Sequence, residues 1–119
     1  MTKKRTNPDF VNGVPELLLL RLLATRPMYG YELVQAIRLA TNGDLEFGEG
    51  CLYPLLHRLE ADGLLTSRRE RVGGRDRFVY RVTTRGRTEL ADRVSAWERV
   101  AGAVRRALYG TPHVQSDVA

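Results

Sequence analysis

Glu49-Gly50-Cys51-Leu52-Tyr53-Pro54-Leu55-Leu56-His57-Arg58-Leu59-Glu60-Ala61-Asp62-Gly63-Leu64-Leu65 leads without pause into Thr66-Ser67-Arg68-Arg69-Glu70-Arg71-Val72, Gly73-Gly74 and Arg75-Asp76-Arg77-Phe78-Val79-Tyr80-Arg81-Val82-Thr83. Leu52, Leu55, Leu56 and Leu59 recur at i, i+3, i+4 and i+7, which predicts a short helix with one buried stripe. Pro54 sets its start near Glu49 or Gly50, because proline is tolerated in a first turn and breaks a helix interior. Gly63 stops it. Two strands follow, Leu64 to Val72 and Arg77 to Val82, joined at Gly73-Gly74, whose freedom to adopt positive φ suits a tight hairpin turn. Phe78, Tyr80 and Val82 alternate with Arg77, Val79 and Arg81, so one face of the second strand is expected to point inward.

A helix followed at once by a basic hairpin is the winged-helix arrangement, in which the helix enters a major groove and the hairpin lies along phosphates. The hairpin carries Arg68, Arg69, Arg71, Arg75, Arg77 and Arg81 against only Glu70 and Asp76. An arginine fork matches phosphate oxygens in pairs, and the glycines let backbone approach a sugar-phosphate chain. Arg75 and Arg77 are the strongest candidates, and Arg81, near the base, is expected to pair within the protein. The competing reading is an edge hairpin guarded by charge against aggregation. The face of the helix opposite the leucines presents Gly50, Tyr53, Pro54, His57 and Ala61, with Arg58 at its edge. These small, polar and aromatic residues suit close approach to a duplex, with the Tyr53 hydroxyl able to donate to a phosphate. Tyr53 as a half-buried core aromatic and His57 as a plain surface residue are the alternatives.

Working outward, Pro15 suits the first turn of a helix that carries Leu17 to Ala24 and stops near Arg26-Pro27. Met28-Tyr29-Gly30 reads as a break. A second helix follows with Leu33, Ile37 and Ala40 on one face, ended by Asn42-Gly43-Asp44. After the hairpin, Thr83 or Thr84 caps a long final helix. Its Leu90, Val94, Trp97, Ala101, Val104 and Leu108 are spaced 4, 3, 4, 3, 4, a heptad seam. One small domain cannot bury that seam alone, so it predicts a homodimer. Trp97 then either anchors the dimer or lines a cavity and stacks on a flat ligand, with Val94 and Ala101 beside it.

The chain has 119 residues, 43% of them hydrophobic and 28% charged, which suits one globular unit with a modest core. The expected class is mostly α with a small β-hairpin. The expected divisions are a flexible basic arm over 1–13, a winged helix-turn-helix over 14–83, a dimerisation helix over 84–109 and a loose tail over 110–119. Net charge is +5 and the pI about 9.9, which fits a polyanionic partner. The single cysteine, Cys51, fits a reducing cytoplasm, and no apolar run is long enough to cross a bilayer. Cys51 reads as a small buried apolar residue, or as a redox switch whose thiol the helix dipole activates. Cys51, His57 and His113 do not converge as metal ligands, no nucleophile elbow or phosphate loop is present, and neither cofactor nor catalysis is expected.

Tyr29-Gly30-Tyr31-Glu32-Leu33, Leu52-Tyr53-Pro54 through Gly63-Leu64, Gly73-Gly74-Arg75, Tyr80-Arg81-Val82-Thr83 and Gly86 together resemble the PadR family of transcriptional regulators, over about residues 14 to 108. With one long helix after the wing, the chain is similar to the short, multidrug-sensing subfamily. The resemblance implies a homodimeric repressor on inverted-repeat operators in double-stranded DNA. The family's DNA contacts would fall on Tyr53 and the Gly73 to Arg77 turn; with the helix face and hairpin read from the residues themselves, the candidate contacts are Gly50, Cys51, Tyr53, Pro54, His57, Arg58, Arg69, Gly73, Gly74, Arg75 and Arg77. It also implies a planar aromatic or cationic small molecule held between paired tryptophans, here Trp97. Cys51 stands where the family usually has threonine or another small residue, so it supplies no hydroxyl to phosphate there, and Asp76 weakens the wing locally. The alternatives are a winged helix controlled by Cys51 oxidation or a protein partner, and an interaction module that binds no DNA.

Overall fold

The computed structural model describes residues 8–110, with side chains from Gly13 onward. Its elements are α1 (Pro8–Thr25), β1 (Met28–Tyr29), α2 (Gly30–Ala40), α3 (Glu49–Ala61), β2 (Leu65–Val72), β3 (Arg75–Val82) and α4 (Thr84–Tyr109). The fold is a winged helix-turn-helix with a long C-terminal helix.

α1 starts seven residues before the expected position. Pro8 takes the first-turn place that the sequence pattern assigns to Pro15, and Pro15 lies inside the helix. There its missing N–H leaves the Val11 carbonyl without an intrahelical donor, which the helix tolerates. The arm expected over 1–13 is therefore helical from Pro8, while 1–7 and the tail over 111–119 lie outside the described residues. Pro54 is likewise one turn deeper in α3 than a first-turn proline, although the start at Glu49 is as expected.

The break at Met28-Tyr29-Gly30 is a strand. Met28 pairs with Tyr80 and Tyr29 with Val79, so β3 is the middle of a three-stranded antiparallel sheet ordered β1-β3-β2. β2 and β3 run in register from Leu65↔Val82 to Val72↔Arg75. Gly73 and Gly74, at φ 60° and 80°, make the two-residue turn that matches strand twist. The simple alternation expected of β3 fails. Val79 and Tyr80 are both buried, and Phe78 is half exposed. Successive side chains point to opposite faces, so at its base the middle strand is covered on both sides, and toward the tip it emerges into solvent.

Leu19, Leu20 and Leu23 of α1, Leu33 and Ile37 of α2, and Leu52, Leu56 and Leu59 of α3 form the core with Leu65 and Tyr80. Ala40, expected on the inner face of α2, is exposed. α4 is tied to this core at its N-terminus. The Thr83 hydroxyl accepts from Gly86 N–H at 2.9 Å and donates to the Gly63 carbonyl at 2.8 Å. Thr83 N–H bonds the Leu64 carbonyl at 3.0 Å. One residue thus caps α4 and fastens it to the corner between α3 and β2. Beyond Leu90 the helix leaves the core. The radius of gyration is 17.6 Å, against about 13 Å for a compact chain of this size, and the long axis is 65 Å.

Candidate nucleic-acid interface

α3 buries Leu52, Leu56 and Leu59 and turns Gly50, Cys51, Tyr53, Pro54, His57 and Arg58 to solvent. Cys51 is exposed, not the buried apolar residue that its composition suggests. It falls on the third position of α3, one turn before Leu55 on the flank of the leucine stripe.

Tyr53 lies over the start of α2. A Cβ on Gly30 would stand 2.5 Å from its phenol oxygen, so only glycine leaves room for the ring. The hydroxyl donates to Glu49 Oε2 at 3.4 Å, one turn back. Burial raises the Tyr53 pKa, the Glu49 carboxylate adds to the rise, and Arg77 opposes it. Tyr53 is therefore a protonated donor at neutral pH. The His57 ring is 6.3 Å away and tilted by 34°.

The wing contributes from the other side. The Arg77 guanidinium sits 4.4 Å above the Tyr29 ring, and its Nε donates to the Val72 carbonyl at 3.4 Å. Arg75 is exposed beside the turn. Arg69 covers Phe78 at 5.4 Å, and Arg71 pairs with Asp76 at 3.4 Å. Arg81 Nη1 lies 2.7 Å from Glu70, off the line of a hydrogen bond, so it pairs inward, as expected from its place at the hairpin base.

Tyr53 and Arg77 meet across a cleft of about 210 Å3 between the wing and α3. Tyr29, Tyr31 and Glu49 also line it, and sequence patterns gave none of them a role. Glu49 carried a signal, since it precedes Tyr53 by four residues and so shares its helix face. Tyr29 carried none, because its place beside Arg77 depends on the sheet register.

Arg58 faces a different task. Its Nε donates to Glu16 Oε2 at 3.1 Å, and its Nη2 bonds the same oxygen. The guanidinium is thus held by α1, away from the Tyr53–Arg77 cleft.

Midway along α4, Trp97 lines a second cleft, of about 300 Å3, with Gly13, Val14 and Leu17 of α1 and Arg93, Ala96 and Val100 of α4. Val94 and Ala101, expected as its companions, are not among the lining residues. They lie on the adjacent flank of the helix. Along α4, Val100, Val104 and Leu108 are 43%, 48% and 67% exposed.

Residues 19–92 match the model of the Transcriptional regulator PadR-like family. The chain belongs to that family. Transcriptional regulator Rv3488 of Mycobacterium tuberculosis is 40% identical over 109 residues, 92% of this chain and 96% of the relative. Among solved structures, a PadR family transcriptional regulator from Eggerthella lenta is 33% identical with a TM-score of 0.72, over 87% of this chain and 88% of that one. A transcriptional regulator from Clostridium thermocellum is 27% identical with a TM-score of 0.75, over 85% and 96%. The PadR-like match ends at Asp92, so it spans α3 and the wing and stops before Trp97. Among the described residues of this PadR-like regulator, no helix is long and apolar enough to cross a membrane.

Proposed function

We propose that this PadR-like regulator is a homodimeric, sequence-specific DNA-binding repressor, released from its operator by a small planar ligand held near Trp97. The observation that carries the DNA-binding part is the meeting of Tyr53 and Arg77 across one cleft between α3 and the wing. A phenol donor and a guanidinium from separate elements there face the same solvent space, with Arg75, Gly73 and Gly74 beyond them. The exposed apolar face of α4 supports the dimer, since burying Trp97, Val100, Val104 and Leu108 takes a second copy of the same helix. Two α3 helices set about 34 Å apart would then enter successive major grooves of an inverted repeat. The protein acts in the cytoplasm and carries no catalytic role on this reading.

The test is binding of the purified protein to the DNA upstream of its own gene at two salt concentrations. A steep salt slope, two chains per site and loss of binding in Tyr53→Phe and Arg77→Ala support the reading. Equal affinity for every DNA sequence sinks the sequence-specific reading, and no binding to any DNA sinks it in favour of an interaction module. The exposure of Cys51 favours a second mode of control, oxidation at the same interface. Peroxide that abolishes binding in the wild type but not in Cys51→Ser identifies it.

A further inference from the structure

Glu16 is the one buried charged side chain among the described residues. It lies on α1, and its two carboxylate oxygens serve two different helices. Oε2 accepts from Arg58 of α3. Oε1 accepts from Nη1 of Arg93 of α4 at 2.9 Å, and Arg93 Nε donates to Glu89 at 2.8 Å. Burial works against the Arg93 charge, but its bonds to Glu89 and Glu16 outweigh that and hold its pKa above the usual value. Arg93 is also a wall of the Trp97 cleft. A continuous set of charge-assisted bonds therefore runs from that cleft, through one buried carboxylate, to the helix that carries Tyr53.

We propose that Glu16 is a positioning residue that couples occupancy of the Trp97 cleft to the seat of α3. The inference rests on the function proposed above and names the residue that would transmit its regulation. A guanidinium fork has fixed geometry, so a guest that shifts Arg93 cannot leave the Glu16 bonds unchanged. A buried carboxylate deprived of one of two partners is strongly destabilised. It follows the arginine, and Arg58 and α3 follow it. The cleft walls Val14, Leu17, Ala96 and Val100 are apolar, so the guest class is a flat apolar molecule.

Coupling of this kind is shown only by measuring it. The probe is 1-anilinonaphthalene-8-sulfonate, whose aromatic rings suit the apolar walls and whose sulfonate is repelled by DNA. Its binding is read by energy transfer from Trp97, the single tryptophan. Operator affinity is measured with and without saturating dye for the wild type, Glu16→Gln, Glu89→Gln and Arg58→Lys, each checked for folding by thermal melting. The expected result is a dye-induced affinity change of about tenfold in the wild type and in Glu89→Gln. In Glu16→Gln the dye still binds and the change disappears. Arg58→Lys, whatever its own operator affinity, also loses the dye response, and it carries the test if Glu16→Gln does not fold. Full dye response in Glu16→Gln or Arg58→Lys overturns the proposal and leaves the repressor reading standing. So does dye bound at Trp97 without any wild-type response, or no energy transfer at all. Failure of the wild type to prefer any DNA removes the repressor reading and this one with it.

Discussion

Gly30 and Tyr53 are fitted to one another: the space that a Cβ on Gly30 would fill is occupied by the Tyr53 ring, 2.5 Å from the phenol oxygen and 2.7 Å from Cζ. The glycine opens α2, and the tyrosine is the residue of α3 that the proposed function sets against DNA. Gly30→Ala is expected to push the ring off its seat. Because Tyr53 is 37% exposed, its ring can swing into solvent. The stability cost should then stay within about 1 kcal/mol, while operator affinity falls as far as in Tyr53→Phe. Combining the two substitutions should add little to either. Equilibrium unfolding and operator titrations on the three variants check this, and full additivity in the binding data would count against it.

Gly86 poses the opposite case. A Cβ there would lie 2.2 Å from the Leu64 carbonyl oxygen and 2.7 Å from a Val82 methyl. The first obstacle is backbone, and Thr83 fixes it through its own bond to the Leu64 carbonyl. Neither side can yield cheaply. Gly86→Ala should cost about 1–3 kcal/mol, a fall in melting temperature of roughly 4–8 °C per kcal/mol for a domain of this size. Thermal melting tests it, and an unshifted transition would show that α4 docks less tightly than the structure describes.

The difference between these glycines also marks what the sequence could show. The leucine stripe of α3, the Gly73-Gly74 turn and the Thr83 cap are local patterns, and each falls where periodicity and turn chemistry put it. β1 is two residues long and has no period to read, so its pairing with β3 stayed hidden. The burial of Val79 beside Tyr80 followed from that pairing. Two prolines, Pro8 and Pro15, both satisfy the first-turn rule, and nothing local chooses between them. The pairing of Arg58 with Glu16 was not legible, because the two lie 42 residues apart. The Trp97 cleft takes its other wall from α1, which explains why Val14 and Leu17 line it rather than the seam neighbours Val94 and Ala101.

The wing arginines should separate in a salt titration. Arg75 is exposed beside the turn and Arg77 faces the cleft, whereas Arg81 is drawn inward by Glu70 at 2.7 Å. Removing one arginine from a DNA phosphate flattens the plot of log affinity against log salt by about 0.9. Arg75→Ala and Arg77→Ala should each reduce the slope by about that amount. Arg81→Ala should leave the slope unchanged and lower stability instead. A reduced slope in Arg81→Ala would place that guanidinium on DNA.

Two tyrosines should shape the alkaline limit of stability. Burial raises the Tyr53 pKa, with Glu49 adding to it, and burial raises that of Tyr80, with Glu60 adding to it. Unfolded, both lose their protons near the ordinary pKa of about 10. Between that value and the raised one, the folded state holds more protons than the unfolded state, so stability falls as pH rises. Below about pH 9 these groups contribute no slope. Denaturant unfolding from about pH 8 to 11 should show a decline that begins near the ordinary tyrosine pKa of about 10 and is shallower in Tyr80→Phe. A decline equally steep in that variant would move its cause elsewhere.

The exposed face of α4 makes the last prediction. Leu108 is 67% exposed and Val104 48% exposed, one turn apart on the seam that also carries Trp97. Neither helps to fill the core, which ends near Leu90. A glutamate at either position therefore costs the single chain little. In a helix pair it would put an unpaired charge into the apolar seam, where desolvation works against it. Val104→Glu and Leu108→Glu should melt within a few degrees of the wild type at concentrations where all are monomeric, and sediment as monomers where the wild type is a dimer. Operator affinity should fall with dimerisation, because one α3 reaches one half-site only. Wild-type protein that sediments as a monomer throughout would leave the apolar face of α4 to a different partner.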